Sequence, residues 1–277
     1  MKSITDTYRL SNGKTIPCVG FGTWQTPNET AVESVKNAIK CGYRHIDTAS
    51  QYGNEKSVAQ GIKESGINRK DLFITTKLWN DDRGYDSTLK AFDKSMKELN
   101  LDYLDLYLMH WPAVGKDGDK INHETWKAFE KLYKEGRIKS IGISNFLVHH
   151  IQPLIDKAEV KPMVNQLEFH PGYTQPEIVQ FCHKNDIVVE AWSPLGSGSV
   201  LKNPKLTEIA KKYNKSTAQL CIRWCLQNKT LPLPKSVTPE RIIANTQVFD
   251  FNISDEDMKI ITQLPKMGFS GLYPDEN

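Results

Sequence analysis

The feature that most constrains the fold of this chain is a repeated alternation of short apolar runs and amphipathic stretches. Each stretch carries apolar residues at three- and four-residue steps, as in Leu89, Phe92, Met96 and Leu99. The runs are typical of buried strands and the stretches of helices packed on one face. Eight strands are predicted, in the runs 18–21, 43–46, 72–76, 104–109, 138–143, 163–167, 187–192 and 231–233.

Eight strands alternating with helices predict an α/β fold, a closed parallel (β/α)8 TIM barrel, in one domain over residues 1–277. Such a barrel takes about 250 residues, close to the 277 of this chain. An open sheet that binds a dinucleotide would carry G-x-G-x-x-G after its first strand. Here that strand reads Gly20-Phe21-Gly22 and the third glycine is missing. Upstream, Asn12-Gly13 predicts a β-hairpin, which would close the bottom of the barrel.

Composition argues against several functional classes. The net charge is only +3, with 36 basic and 33 acidic residues, so neither nucleic acid nor a membrane is an expected partner. No apolar run has the length of a transmembrane helix or the position of a signal peptide, so a cytoplasmic location is expected. The five cysteines have no CxxC spacing, and we expect incidental thiols and no metal site.

Polar side chains stand at the carboxyl ends of three successive predicted strands. Asp47 follows the second strand, Lys77 the third and His110 the fourth, and Tyr52 lies in the loop after Asp47. Alone, such an Asp often caps a loop, such a Lys is often solvated and such a His often packs in the core. Spaced about one strand–helix unit apart, they should face one cavity at the end of the barrel where chemistry occurs. Burying all of them is costly unless they pair.

These four side chains, the tetrad, form a coherent general-acid site without a metal. Hydride addition to a carbonyl places negative charge on oxygen, which a proton donor must neutralise. Tyr52 is a weak acid, with a reference pKa of about 10, and a neighbouring Lys77 ammonium is expected to lower that pKa. Asp47 can keep Lys77 charged, and His110 can donate a hydrogen bond to the carbonyl.

Eight segments in order resemble the aldo-keto reductase family over essentially the whole chain. They are GFGTW at 20–24, GYRHIDTA at 42–49, YGNE at 52–55, ITTKLW at 74–79, LDLYLMHWP at 104–112, IGISNF at 141–146, NQLEFHP at 165–171 and PKSVTPER at 234–241. The resemblance implies a monomeric enzyme that reduces aldehydes and ketones to alcohols with NADPH. It also implies that Tyr52 donates the proton, Lys77 and Asp47 tune it, and His110 orients the substrate.

The resemblance further implies how the nicotinamide would be held. Ser144, Asn145 and Gln166 would bind its carboxamide, because a primary amide needs complementary donors and acceptors. Trp192, where many members have tyrosine, would stack on the ring. Further implied contacts with the cofactor are Thr23, Trp24, Asp47, Ser193, Leu195 and Val237.

At the other end of the cofactor, the resemblance implies that Lys235, Ser236 and Arg241 bind the 2′-phosphate. Two cations and a hydroxyl suit a phosphate monoester, a group that NAD lacks, and NADPH is therefore preferred. Asn245 would contact the adenine, but the preceding Ala244 stands where the family often has glutamate. One adenine contact is therefore expected to be missing.

The expected substrate pocket is open and shallow. Its apolar walls would be Trp24, Trp79 and Trp111, beside Tyr52 and His110. The segment after 111–112 reaches the next helix, near residue 124, in about a dozen residues, and the C-terminal segment is also short. This shape is similar to that of compact microbial reductases of 2-oxoaldehydes such as methylglyoxal, or of diketo sugar acids such as 2,5-diketo-gluconate.

Two other functions stay open. A lysine at the end of a barrel strand can form a Schiff base, as in aldolases, but this needs neutral Lys77 and a paired Asp47 would oppose it. Some barrels of the family bind a cofactor without turnover, as regulatory subunits. The intact tetrad argues against that function.

Overall fold

The structure, a computed structural model, describes residues 1–276 and has two sheets. The first is an antiparallel hairpin of β1 (Thr7–Arg9) and β2 (Thr15–Pro17). The second has eight parallel strands: β3 (Phe21–Gly22), β4 (His45–Asp47), β5 (Phe73–Leu78), β6 (Leu106–Met109), β7 (Ile141–Ser144), β8 (Val164–Glu168), β9 (Val188–Trp192) and β10 (Thr230–Pro232). That residues 1–277 form one domain stays a prediction, and Asn277 lies outside the described residues.

Backbone hydrogen bonds between the first and last strands close the sheet into a barrel. The Gly20 N–H donates to the Pro232 carbonyl and the Gly22 N–H to the Pro234 carbonyl, each over 3.1 Å. A Cβ at Gly20 would lie 2.4 Å from Leu233 Cδ2, so this seam needs a glycine. The closed (β/α)8 barrel confirms the predicted fold class, although several strands begin two or three residues later than expected.

Helices connect the strands around the outside of the barrel. They are α1 (Asn28–Lys40), α2 (Glu55–Glu64), α3 (Tyr85–Leu99), α4 (Gly118–Lys134), α5 (Val148–Ile155), α6 (Pro176–Lys184), α7 (Pro204–Lys212), α8 (Thr217–Gln227), α9 (Pro239–Ala244) and α10 (Asp255–Thr262). The start of α4 corrects the prediction near residue 124. Asn122 bonds both the N–H and the carbonyl of Ala113, which draws the chain into a helix earlier.

The hairpin lies at the amino ends of the barrel strands. The Tyr8 hydroxyl donates to the Thr230 carbonyl over 3.4 Å, at the start of β10, and Asn12 Nδ2 donates to the Lys139 carbonyl over 3.0 Å, just before β7. Leu10 and Ile16 are buried beneath it. The opposite end of the barrel, where the tetrad was predicted, is left for a binding site. Within residues 1–276, no helix combines the length and apolar character needed to span a bilayer.

Candidate active site

A cavity of about 860 Å³ opens at the carboxyl ends of the barrel strands. It brings together sixteen of the predicted residues: Trp24, Asp47, Tyr52, Trp79, His110, Trp111, Ser144, Asn145, Gln166, Trp192, Ser193, Leu195, Lys235, Ser236, Arg241 and Asn245. Three predicted residues do not line it. Lys77 is wholly buried beneath Asp47, Thr23 is buried with its hydroxyl bonded to the Asp47 carbonyl, and Val237 is exposed.

Lys77 links Asp47 and Tyr52 of the tetrad from beneath the cavity. Its ammonium donates to Asp47 Oδ1 over 2.6 Å, to the Thr48 carbonyl over 2.8 Å and to the Tyr52 hydroxyl over 3.3 Å. An ammonium has three N–H donors, so all three are satisfied. Asp47 is the last residue of β4 and Lys77 the second-last of β5, and the parallel register of these strands brings them together.

The pKa shifts of this pair follow from burial and charge. Burial favours neutral Lys77, but the Asp47 carboxylate and the Tyr52 hydroxyl outweigh it and raise the pKa of Lys77. Burial also raises the pKa of Tyr52, and the lowering by the Lys77 ammonium is smaller. Lys77 thus lowers the pKa of Tyr52 as expected, but burial outweighs this and the net shift of the pKa is upward. Lys77 limits the rise, which keeps the phenol a better acid than an isolated buried tyrosine would be.

His110 lies against two aromatic rings of the cavity. Its ring centroid is 5.7 Å from that of Tyr52 and 5.2 Å from that of Trp79, both in edge contact. Burial and the Lys77 charge hold the pKa of His110 well below its usual range. The ring is therefore neutral and has one N–H to donate to an oxygen in the cavity, as expected of a residue that orients a carbonyl.

The backbone is in the left-handed region at four non-glycine positions of the cavity. Asn145 has φ 62°, Gln25 has φ 54°, and Ser193 and Ser197 each have φ 51°. Non-glycine residues adopt this conformation only when their surroundings impose it, and such positions cluster at functional sites. Asn145 and Ser193 come directly after β7 and β9. The turn at each strand end therefore directs the chain toward the cavity.

The side chains after β7 and β9 are linked by hydrogen bonds. Asn145 Nδ2 donates to the His110 carbonyl over 3.0 Å and to Ser144 Oγ over 3.1 Å, and the Trp192 indole donates to Asn145 Oδ1 over 2.8 Å. Both amide N–H groups of Asn145 are thus used, and one lone pair of Oδ1 is left. A tyrosine at 192 would have no indole N–H for this bond.

Gln166 connects the tetrad to a carboxyl group beneath it. Its Nε2 donates to Asp47 Oδ2 over 2.9 Å and to Glu190 Oε2 over 2.7 Å. Because both partners are carboxyl oxygens, the amide nitrogen faces them, and the carbonyl Oε1 has no partner among the described residues. The acceptors left by Gln166 and Asn145 suit the NH₂ group of a carboxamide.

The far end of the cavity carries two cations and a hydroxyl. Lys235 Nζ donates to the Gln25 carbonyl over 3.1 Å, and Ser236 and Arg241 line the same cavity. In the described part of the chain, neither Lys235 nor Arg241 forms an ion pair. Partial burial lowers the pKa of Lys235. Two cations that lack a carboxylate partner and lie beside a hydroxyl fit a phosphate monoester.

Sequence reasoning missed part of the cavity wall. The missed residues are Gly22, Gln25, Gln51, Pro194, Ser197, Gly198, Leu201, Ser216, Ala218, Leu233, Pro234 and Leu272. Ser216 opens a Ser-x-x-Gln capping box with Gln219, a sequence signal that predicts the start of α8 and not its place at the cavity. Leu272 belongs to the C-terminal segment, which Ser270 ties to Glu168 through its N–H and hydroxyl. The short C-terminal segment therefore reaches the cavity, contrary to expectation.

A second polar cluster lies on the surface at the start of α5. His149 Nε2 and His150 Nε2 are 2.7 and 3.0 Å from Asp275 Oδ1. These ligand-type atoms could hold a metal by distance alone. However, His150 Nδ1 accepts the Leu147 N–H over 3.1 Å, so the proton of a neutral ring is on Nε2 and points at Asp275. This cluster is explained as a hydrogen-bonded link between α5 and the C-terminal segment.

Comparison with known proteins identifies the family. The sequence profile of the Aldo/keto reductase family matches residues 18–266. The chain belongs to the aldo/keto reductase family. As such it is an oxidoreductase, and the resemblance in its motifs is confirmed.

Related proteins match over nearly their whole length. The chain is 54% identical to a glyoxal reductase of Bacillus subtilis over 275 residues, covering 99% of this chain and 98% of that one. It is 42% identical to methylglyoxal reductase DkgA of Escherichia coli, covering 97% and 96%. A crystal structure of a Gox0644 mutant in complex with NADPH superposes with a TM-score of 0.92 at 42% identity, covering 99% of this chain and 98% of that chain.

Proposed function

We propose that this aldo-keto reductase reduces 2-oxoaldehydes of the methylglyoxal class with NADPH, with Tyr52 as the general acid. The observation that carries the proposal is the bonded set Asp47–Lys77–Tyr52, which lies beside neutral His110 at the base of the cavity. A proton donor and an oxygen-directed N–H at one point suit a carbonyl that is gaining charge.

Each residue of the tetrad has one role in the proposed reaction. His110 donates its N–H to the carbonyl oxygen and sets its direction. NADPH, when bound, supplies the hydride, which adds to the carbonyl carbon while the C=O π electrons move to oxygen. Tyr52 passes its hydroxyl proton to that oxygen, and its phenolate is stabilised by the Lys77 ammonium 3.3 Å away. Asp47 keeps Lys77 charged across the cycle, and solvent returns a proton to Tyr52.

The residues present fit the proposed cofactor at both ends. The free acceptors of Asn145 and Gln166 would receive the carboxamide N–H groups, Ser144 would complete this contact, and Trp192 would cover the ring. At the far end, Lys235, Ser236 and Arg241 would bind the 2′-phosphate. Asn245 lines the cavity beside them and would contact the adenine. The additional contacts of Thr23 and Val237 stay predictions, since neither lines the cavity.

The substrate class rests on the cavity walls and on the relatives. Trp24, Trp79 and Trp111 line the cavity that holds Tyr52 and His110, and such walls suit a small carbonyl compound better than a highly charged one. The names of the Bacillus and Escherichia relatives, glyoxal and methylglyoxal reductases, agree with this class. A cytoplasmic location and a monomeric state stay predictions.

The two alternative functions are less well supported. A Schiff-base lysine must lose its proton, whereas Asp47 and Tyr52 raise the pKa of Lys77 and occupy its donors. A regulatory barrel without turnover would have no need for the complete tetrad. Borohydride trapping of the protein with its carbonyl substrate would test the first alternative, and NADPH binding without turnover the second.

The deciding experiment follows the absorbance of reduced nicotinamide with NADPH or NADH and a carbonyl panel that includes methylglyoxal. Wild type should consume NADPH, and Tyr52→Phe should be slower by at least about 10²-fold, because general-acid catalysis contributes 10²–10⁴-fold. Tyr103→Phe is the matched control, since this tyrosine packs on Arg69 outside the cavity. Consumption of neither cofactor by wild type would refute the proposal, as would full activity of Tyr52→Phe.

A further inference from the structure

A buried acid lies beneath the tetrad, and the proposed mechanism does not use it. Glu190, in the middle of β9, is 0% exposed. Strand pairing places it directly opposite Gln166 of β8. A glutamate wholly inside a barrel is costly unless its oxygens have partners. Its Oε2 accepts from Gln166 over 2.7 Å, and its Oε1 has no hydrogen-bond partner among residues 1–276.

Glu190 completes a chain that ends at the catalytic lysine. Gln166 divides its two amide N–H groups between Glu190 Oε2 and Asp47 Oδ2, and the other oxygen of Asp47 receives Lys77. With an acceptor on each N–H, the amide plane of Gln166 has a fixed orientation, and the nitrogen is fixed on the side of the two carboxyl groups. If only Asp47 remained, one N–H would stay buried and unpaired, a cost that a shift of the side chain would relieve.

We propose that Glu190 is a positioning residue that fixes the orientation of the Gln166 amide from beneath the active site. The inference rests on the proposed function, in which Gln166 Oε1 receives the carboxamide of the cofactor. A correctly turned Gln166 presents that oxygen to the cavity. Glu190 thereby acts on cofactor affinity without touching the cofactor.

The charge state of Glu190 is set by its neighbours. Burial and the Asp47 charge raise the pKa of Glu190 to about 8, against smaller lowering by Gln166 and Lys77. His45, whose Nε2 is 3.7 Å from Glu190 Oε1, is neutral because burial and Lys77 lower its pKa to about 3. Glu190 is therefore protonated at pH 7, and the buried charges of Asp47 and Lys77 balance. Above pH 8 its ionisation adds a second negative charge beside Asp47.

The test compares three variants by steady-state kinetics. Glu190→Met fills the space without an acceptor and should raise the KM for NADPH about tenfold, with kcat and the KM for methylglyoxal within about twofold of wild type. Glu190→Gln keeps an acceptor and should restore the KM at pH 7. Glu130→Met is the matched control, because this buried glutamate accepts the Val160 N–H from the outer helix α4, and its KM should not change.

A pH profile keeps the inference testable if Glu190→Met does not fold. Ionised Glu190 disfavours the Tyr52 phenolate, so wild-type kcat should fall between pH 7.5 and 9, and Glu190→Gln should move this fall to higher pH. Unchanged KM in Glu190→Met, or superimposable wild-type and Glu190→Gln profiles, would overturn the positioning role while leaving the reductase proposal intact. If wild type itself did not oxidise NADPH, both the positioning role of Glu190 and the reductase proposal would be overturned.

Discussion

The two ends of the cavity are built differently. At the tetrad end, the Lys77 ammonium is wholly buried and each of its N–H groups has a partner within the protein. At the far end, Lys235 and Arg241 are exposed, and neither has an ion pair among the described residues. The first arrangement fixes the proposed reacting groups in advance, which lowers the reorganisation needed during reaction. The second leaves cations to be satisfied by a ligand. Substitutions at the two ends should therefore change different kinetic constants.

The largest effect is expected at the tetrad end, from Lys77→Met. Removing one partner of a buried ion pair leaves the Asp47 charge uncompensated, which costs about 3–5 kcal/mol. Turnover should fall by about 10³-fold or more, because the Tyr52 phenolate loses its counter-charge. Urea denaturation and NADPH oxidation measure the two losses. Lys36→Met, which breaks exposed ion pairs with Glu33 and Glu64, is the control and should change neither. If Lys77→Met turned over as fast as wild type, the proposal that the tetrad end determines turnover would be refuted.

A smaller effect of another kind is expected from Lys235→Met combined with Arg241→Met. Loss of charge-assisted bonds to the 2′-phosphate should raise the KM for NADPH by about 10- to 100-fold. The kcat should stay within about twofold, and the KM for NADH should not change. Exposed Lys161, at the other end of the barrel, supplies the control Lys161→Met. A fall in kcat instead would show that the two ends are coupled.

The protonation state of Glu190, which is buried beneath the tetrad, should be visible in the pH dependence of stability. The pKa of Glu190 is raised to about 8 in the folded protein, above the ordinary value of 4.5. Between these values the folded protein holds a proton that the unfolded chain has lost, so stability falls as pH rises. The unfolding free energy of wild type relative to Glu190→Gln should therefore fall by roughly 1 kcal/mol per pH unit from pH 5 to 8. A constant difference would show that Glu190 is ionised throughout.

The smallest effect is expected between the two ends, at Trp192→Tyr. The variant loses the indole N–H that bonds Asn145 Oδ1 over 2.8 Å. One such bond contributes about 1 kcal/mol, so the KM for NADPH should rise about fivefold while kcat changes little. Trp192→Phe, which also lacks this donor, should match it. A normal KM in both variants would show that ring stacking alone positions the cofactor.

Much of this architecture is readable from the sequence. The alternation of strand and helix patterns predicts the barrel. Polar residues at the carboxyl ends of successive parallel strands must then lie at the same end of that barrel. For that reason Asp47, Lys77 and His110 could be assigned to one site before the structure was known. The cations at Lys235 and Arg241 needed the family resemblance, because exposed charges occur on any surface.

Other features depend on quantities that a linear sequence does not carry. Glu190 stands in the apolar run of β9, and only the register between β9 and β8 shows that Gln166 is its partner. The sign of the Tyr52 pKa shift depends on the depth of burial, which outweighs the neighbouring charge. Leu272 reaches the cavity only because Ser270 bonds Glu168, a contact between distant parts of the chain.

The seam of the barrel has a consequence for the order of folding. The tetrad comes from β4, β5 and the segments that follow β4 and β6, which are close together along the chain, whereas Lys235 meets the Gln25 carbonyl across a separation of 210 residues. Closing so long a loop is entropically costly and slow. We therefore expect the nascent barrel to assemble the tetrad while its first and last strands are still apart. The proposed phosphate-binding end would then form only with final closure, so tight NADPH binding would report a completed barrel.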